Sequence, residues 1–276
     1  MHILAEGTAQ YLPVDPDGYR AYVRDFAHDV RTVRTCTSAD FIHWTKPEWC
    51  QYGGTPWEHL YTNATTPNFR APHIFLSFPK RYVPDRTRAG YPHPGLSEGV
   101  FMASHDGVNF DRSFMEAWIR PGLDINNWVE RNNMPAFGIL QTGPEEISVY
   151  WVEHYENERL PCQLRRGTLR LDGFVSVNAP CAAGEFTTKP LTFEGKELVI
   201  NYSTSAVGSV RVEIQDAAGT PIEGFKLDQC PEIFGDEIEH VVAWQGGTDV
   251  SALAGQPVRL RLALKDADLY SIRFRE

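Results

Sequence analysis

The sequence predicts an all-β chain: a partial β-propeller of about three blades followed by an antiparallel β-sandwich. Three observations carry that prediction. A turn motif recurs at a fixed interval, aromatic residues are concentrated in the first part of the chain, and the last part alternates apolar and polar residues with period two. The motif is clearest in Gly99 to Arg112 (GVFMASHDGVNFDR), where a short apolar run leads into Ser104, Asp106 and Gly107, and Phe110 follows. This reads as a strand running into a tight turn. The aspartate can accept hydrogen bonds from its own turn, glycine can take positive φ, and the aromatic returns to the sheet.

The same unit occurs at Ser38 to Trp44 (SADFIHW), and a weaker copy at Thr168 to Ser176 (TLRLDGFVS) keeps Asp172 and Gly173 but lacks the serine. Asp40, Asp106 and Asp172 are evenly spaced, 66 residues apart. A period of that size, with several strands per unit, is the pattern of propeller blades. The competing reading is that Asp-Gly turns occur in any β protein.

Taken in order, Ala9 to Val14, Tyr19 to Phe26 and Val30 to Thr37 read as strands, the first two joined by a turn at Asp15 to Gly18. Arg70 to Pro79 reads as a central strand, followed by a long loop from Lys80 to Ser97 and then the strand that carries Asp106. Phe137 to Gln141, Ile147 to His154 and Gln163 to Leu171 complete a third unit. Beyond Gly184, five alternating segments (198–202, 209–215, 239–244, 258–264 and 269–274) predict the sandwich. The boundary is placed between two domains, 1–182 and 183–276. Six of the seven tryptophans precede residue 155, which marks the same division.

The formal net charge is −10 and there is no dense Lys/Arg cluster. That excludes nucleic acid as the expected partner, because phosphate neutralisation needs a basic surface. No apolar run approaches the ~20 residues of a membrane helix, so no membrane partner is expected. Five cysteines form no metal-ligand pattern, and neither a metal nor a cofactor is predicted. The first ten residues lack the basic and apolar regions of a secretion signal. The location is therefore open: cytoplasmic, or secreted if the natural chain starts earlier.

The turn SADFIHWT within a blade repeat, followed by a C-terminal sandwich, resembles the furanosidase-type five-bladed glycoside hydrolases. These are the invertase and inulinase enzymes and their arabinanase and xylosidase relatives. RTCTSADFIHWT, LYTNATTPNFRAPHIFL and EGVFMASHDG carry the resemblance. It implies an oligo- or polysaccharide partner, and hydrolysis by carboxylates on the inner strands of the first three blades. Five blades of this period exceed the residues before the sandwich, so the chain reads as the last three blades plus the accessory domain. The missing blades would come from a second copy or another chain, because open sheet edges need a partner.

Hydrolysis of a glycosidic bond needs one protonated and one ionised carboxyl group. The catalytic candidates are Asp25, Glu98 and Glu153. Asp25 closes a strand beside Arg24, which would keep it ionised; the competing reading is a surface ion pair. Glu98 stands at the mouth of a strand after the long loop, suited to a general acid, or is a solvated loop carboxylate. Glu153 shares a strand face with Trp151, and burial there would raise its pKa as an acid requires; a structural hydrogen-bonding role competes. Candidate sugar-binding residues are Arg24, Arg70, His73, Trp128, Asn132, Asn133 and His154, all polar or aromatic groups at strand ends. Core packing competes for Trp128. The runner-up function is a non-catalytic carbohydrate-binding or assembly protein derived from such a hydrolase.

Overall fold

The computed structural model describes residues 10–15, 18–88, 90–91, 93–155, 157 and 160–276. The described residues form twenty β-strands and three single-turn 3₁₀ helices, with no α-helix, so the fold is all-β. Among them no helix is long and apolar enough to cross a membrane. The chain divides into two units, the first comprising Met1–Thr142 and Ile147–Thr168, the second Gly143–Glu146 and Leu169–Glu276.

The first unit contains meandering antiparallel sheets. Strands β1 (Gln10–Asp15), β2 (Gly18–Ala27), β3 (Val30–Ser38) and β4 (Glu48–Trp49) pair in chain order. Asp15 pairs with Gly18 across the expected turn, whose Pro16 and Asp17 lie outside the described residues. Ala9, where the first strand was expected to begin, lies outside them as well.

The next meander is longer and bent. Its outer part is β6 (Thr66–Asn68), β7 (Ala71–Ser77), β10 (Met102–Ser104) and β11 (Phe110–Asp111). Its other part is β5 (His59–Leu60), β8 (Lys80–Val83) and β9 (Leu96–Gly99). Backbone hydrogen bonds from Phe78 to Asn63 and from Val100 to Pro79 carry the ladder across the bend. The expected loop from Lys80 to Ser97 is therefore shorter than its sequence implies. Both its ends are strand, because Lys80–Val83 pairs residue for residue with Leu96–Gly99.

In the third meander β12 (Met134–Pro135) and β13 (Leu140–Gln141) both pair with β14 (Glu146–Glu153), which also pairs with β15 (Gln163–Arg170). The first two meanders share a core of Tyr22, Val33, Cys50, Leu60, Phe75, Val100, Met102 and Phe110.

Two of the repeated turns have one geometry. Asp40 accepts from the backbone N–H groups of Ile42 and His43 at 2.9 and 2.7 Å, and Ser38 donates to it at 3.2 Å. Asp106 accepts from Val108 and Asn109 at 2.8 and 2.7 Å, with Ser104 donating at 3.0 Å. Gly107 has φ +71°, and a Cβ there would stand 2.7 Å from the Tyr22 hydroxyl, so the residue must be glycine on both counts. The third copy departs from this pattern. Asp172 belongs to the second unit and its carboxylate accepts from Ser271, 99 residues away. It lacks the serine two positions earlier that marks the other two copies.

In the second unit, β18 (Glu197–Asp216) and β20 (Val258–Arg275) pair along their lengths, with a register break between Thr204 and Ser209. Strands β16 (Val177–Ala179) and β17 (Gly184–Thr187) join β20, and β19 (Asp236–Val241) joins β18. Segments that read as four separate strands are thus halves of two, joined through the break into one five-stranded sheet. Alternate residues Leu198, Ile200, Tyr202, Val212 and Ile214 meet Leu260, Leu262 and Leu264 in one core.

Candidate functional site

The site is built on the β8–β9 ladder. Side chains alternate along a strand, so Lys80 and Tyr82 of β8 face one way and Arg81 and Val83 the other. Arg81 stands opposite Glu98 of β9, and Leu60 of β5 stands opposite Arg81 on its other side. Glu58, just before β5, reaches the same guanidinium. Arg81 donates from Nε to Glu98 Oε1 at 2.9 Å and from its terminal nitrogens to Glu98 and Glu58. Arg112, fully buried after β11, lies 3.2 Å from the second oxygen of Glu58. Burial disfavours the charge on Arg81, but hydrogen bonds to Glu58 and Glu98 outweigh it and raise its pKa. Burial lowers that of Arg112, against the attraction of Glu58.

Glu58, Arg81 and Glu98 form one wall of a cavity of about 360 Å³ whose lining also includes Leu96, Pro121 and Trp128. Trp128 is held by its loop. Its indole N–H donates to the Gly122 carbonyl at 2.8 Å, leaving the side of the ring partly exposed. Asp124 caps the single helical turn before it, accepting from the Asn126 backbone at 2.9 Å, and meets His154 Nε2 at 2.7 Å. Those hydrogen bonds, that of Asn126 first, pull the Asp124 carboxyl down to about 2.

The structure brings two of the predicted residues, Glu98 and Trp128, to one cavity. The others are elsewhere. Asp25 is partly exposed and pairs with Arg34 at 3.0 Å, not with its neighbour Arg24, because adjacent strand residues point to opposite faces. Arg24 instead covers the ring of Tyr61, 4.2 Å from its centre. Glu153 accepts from Arg165 Nε at 2.7 Å and from the Trp151 indole at 3.1 Å. Burial does push its pKa upward as expected, but these hydrogen bonds win and the net shift is downward. The raised value expected of an acid is thus corrected.

His154, Asn132 and Asn133 are buried and hydrogen-bond within the surrounding loops. The Asn132 amide oxygen accepts from the Tyr155 backbone at 2.7 Å, and Asn133 donates to the Ser97 and Asn127 carbonyls. Asn133 and His154 also have positive φ, 56° and 57°, which ties them to the turns they occupy. Arg70 and His73 line no part of the cavity; His73 stacks on His105 with ring centres 6.2 Å apart.

Sequence reasoning missed Glu58, Arg81 and Arg112. All three are ordinary polar residues in their local context, and only strand register joins them. Among the described residues no group of three His, Cys, Asp or Glu side chains is gathered closely enough to hold a metal ion.

No protein-family model matches the chain, and no curated protein matches it. Among solved structures it is similar to the GH32 beta-fructofuranosidase of Bombyx mori, with 8% identity, TM-score 0.35, and coverage of 94% of this chain and 89% of that one. It is also similar to a fructofuranosidase from Schwanniomyces occidentalis complexed with fructose, at 9% identity and TM-score 0.21, covering 96% and 69%. At these scores the likeness fixes no correspondence between residues.

Proposed function

We propose that the chain is a carbohydrate-binding protein of furanosidase-propeller type, with a sugar seated between Trp128 and the Glu58–Arg81–Glu98 network. In this reading residues 1–182 are blades and 183–276 an accessory β-sandwich. The observation that carries it is the state of the three candidate carboxylates: Asp25, Glu98 and Glu153 are each engaged by an arginine, namely Arg34, Arg81 and Arg165. A general acid must hold a proton and offer it to the leaving oxygen, and a carboxylate closed onto a guanidinium is poorly suited to that task. The same network is well suited to recognition. Cross-linked carboxylates and guanidinium groups present fixed donors and acceptors for hydroxyls, and an adjacent indole offers a flat apolar face. The order of the two functions favoured by sequence is thereby reversed, with binding ahead of hydrolysis.

The test is calorimetric titration with a panel of fructo-, arabino- and xylo-oligosaccharides, run beside an assay for released reducing sugar. Saturable binding without release, weakened at least about tenfold by W128A, a loss near 1.4 kcal/mol, is the expected result. Release of reducing sugar would restore the hydrolase. Neither binding nor release would remove carbohydrate as the partner.

A further inference from the structure

On the face of β8 opposite Arg81, three cations gather around one aromatic ring. The ammonium of Lys80 lies 3.9 Å from the centre of the Tyr61 ring, the guanidinium of Arg24 at 4.2 Å and that of Arg31 at 5.2 Å. They come from three strands: β2 supplies Arg24, β3 Arg31 and β8 Lys80. Arg31 also approaches the rings of Phe26 and Tyr82, at 5.2 and 5.7 Å.

Among the described residues, none of the three side chains makes an ion pair or donates a hydrogen bond to an oxygen. Arg34, Arg81, Arg112 and Arg165, by contrast, all have a carboxylate within 4 Å. Lys80 is only 2% exposed, and among the described residues its ammonium meets the Tyr61 ring and no oxygen. Glu130, a carboxylate that acts on Lys80 through space, also lies 4.0 Å from Arg131. Burial, with Arg131, Arg31 and Arg24 adding repulsion against the attraction of Glu130, lowers the Lys80 pKa to about 8. Like charges held together at such a site oppose folding unless something compensates them, and the aromatic face does so only in part. In a chain of net charge −10, such a cluster is a local inversion of sign.

We propose that Arg24, Arg31 and Lys80 form a site for a single oxyanion group, a carboxylate or sulfate, which takes the N–H donors that the Tyr61 ring leaves uncommitted. Two guanidinium forks and one ammonium suit a planar or tetrahedral oxyanion. The sources of such a group are a free inorganic ion and an acidic sugar. The site stands apart from the neutral-sugar reading of the cavity and holds whether or not that reading does.

The test is titration of the full chain at constant ionic strength with sodium sulfate, sodium glucuronate and glucose, followed by heteronuclear NMR of the Lys80 ammonium. Saturable binding of sulfate or glucuronate, with a perturbed Lys80 signal, is expected. Equal affinities would identify a free-ion site, and glucuronate tighter by about tenfold, 1.4 kcal/mol, an acidic-sugar site. K80M and the double variant R24Q/R31Q should each weaken the anion at least about tenfold, while R24K/R31K retains it. Should R24Q/R31Q fail to fold, K80M carries the same readout. The proposal is overturned if neither anion saturates, if K80M binds as well as the parent chain, or if glucose binds as tightly as glucuronate. That last result would leave the sugar reading standing alone.

Discussion

Arg81 and Glu98 are direct neighbours across the β8–β9 ladder, and the same guanidinium also holds Glu58. One arginine thus ties three strand segments. Removing it would leave Glu98, its side chain 22% exposed, without its cation, and Glu58, 15% exposed, with Arg112 alone.

R81M is therefore expected to destabilise the first unit by on the order of 3 kcal/mol, since stripping one partner from a buried pair leaves charge uncompensated. E98Q keeps a hydrogen-bond acceptor and is expected to cost less. Urea unfolding followed by tryptophan fluorescence separates the two. A loss below about 1 kcal/mol for R81M, the scale of an exposed ion pair, would mean that the network adds little.

The carboxyls of Asp40 and Asp106 are held well below the ordinary carboxylate range. For Asp40 the leading cause is the His43 backbone N–H; for Asp106 burial opposes the shift, and the Asn109 and Val108 hydrogen bonds overcome it. A depressed folded-state pKa contributes stability that is present above the unfolded value, about 4, and lost as pH falls through the folded one. The double variant D40N/D106N should accordingly lose less stability than the parent between pH 4 and pH 2. Parallel acid limbs in the two proteins would sink the idea.

Lys80 gives the opposite window. Its folded-state pKa of about 8 lies below the ordinary lysine value, so the unfolded chain binds the extra proton between about pH 8 and 10.4. Stability contributed through this group rises with pH across that window. K80M should remove the rise, and at pH 7 without added oxyanion it should be more stable than the parent by on the order of 2–3 kcal/mol. Unfolding midpoints at pH 7, 8.5 and 10 test this. A steeper rise in K80M than in the parent would refute it.

Gly208 sits where β18 breaks register with β20. A Cβ there would come within 2.4 Å of the Asp266 carbonyl oxygen and 2.8 Å of that of Lys265. Both obstacles are backbone and cannot swing aside. G208A should destabilise the second unit by about 1–3 kcal/mol, the scale of a forced backbone shift. Thermal unfolding followed at the Trp244 signal reads it, and G246A, where a Cβ meets nothing within 4 Å, is the control.

What could be read from the sequence was what the chain closes locally. The Ser38–Asp40 and Ser104–Asp106 turns close within 38–43 and 104–109, so their hydrogen bonds follow from the local sequence. Asp172 has a similar neighbourhood but finds its partner 99 residues away, and nothing around it announces Ser271. The site obeys the same rule. Arg24 lies next to Asp25 in sequence, but Arg34 is the partner in space, because pleating sends neighbours to opposite faces. Glu58 reaches Arg81 across 23 residues and Arg112 joins from the segment after β11, a conjunction fixed by the fold. Trp128 read equally as a core residue and its partial exposure follows from the loop that holds it, while the buried amides of Asn132 and Asn133 gave no sign that they were committed to backbone.

The pairing of β20 sets a timetable for synthesis. Strands β16, β17 and β18 all take Val258–Arg275 as a partner, so each leaves the ribosome with an edge unfilled. At 5–20 residues per second, the interval between the emergence of Gly184 and that of Arg275 is on the order of ten seconds. Throughout it the nascent chain displays open strand edges, the surface most prone to recruit a neighbouring chain. A translation complex stalled before Val258 is therefore a client for holding chaperones.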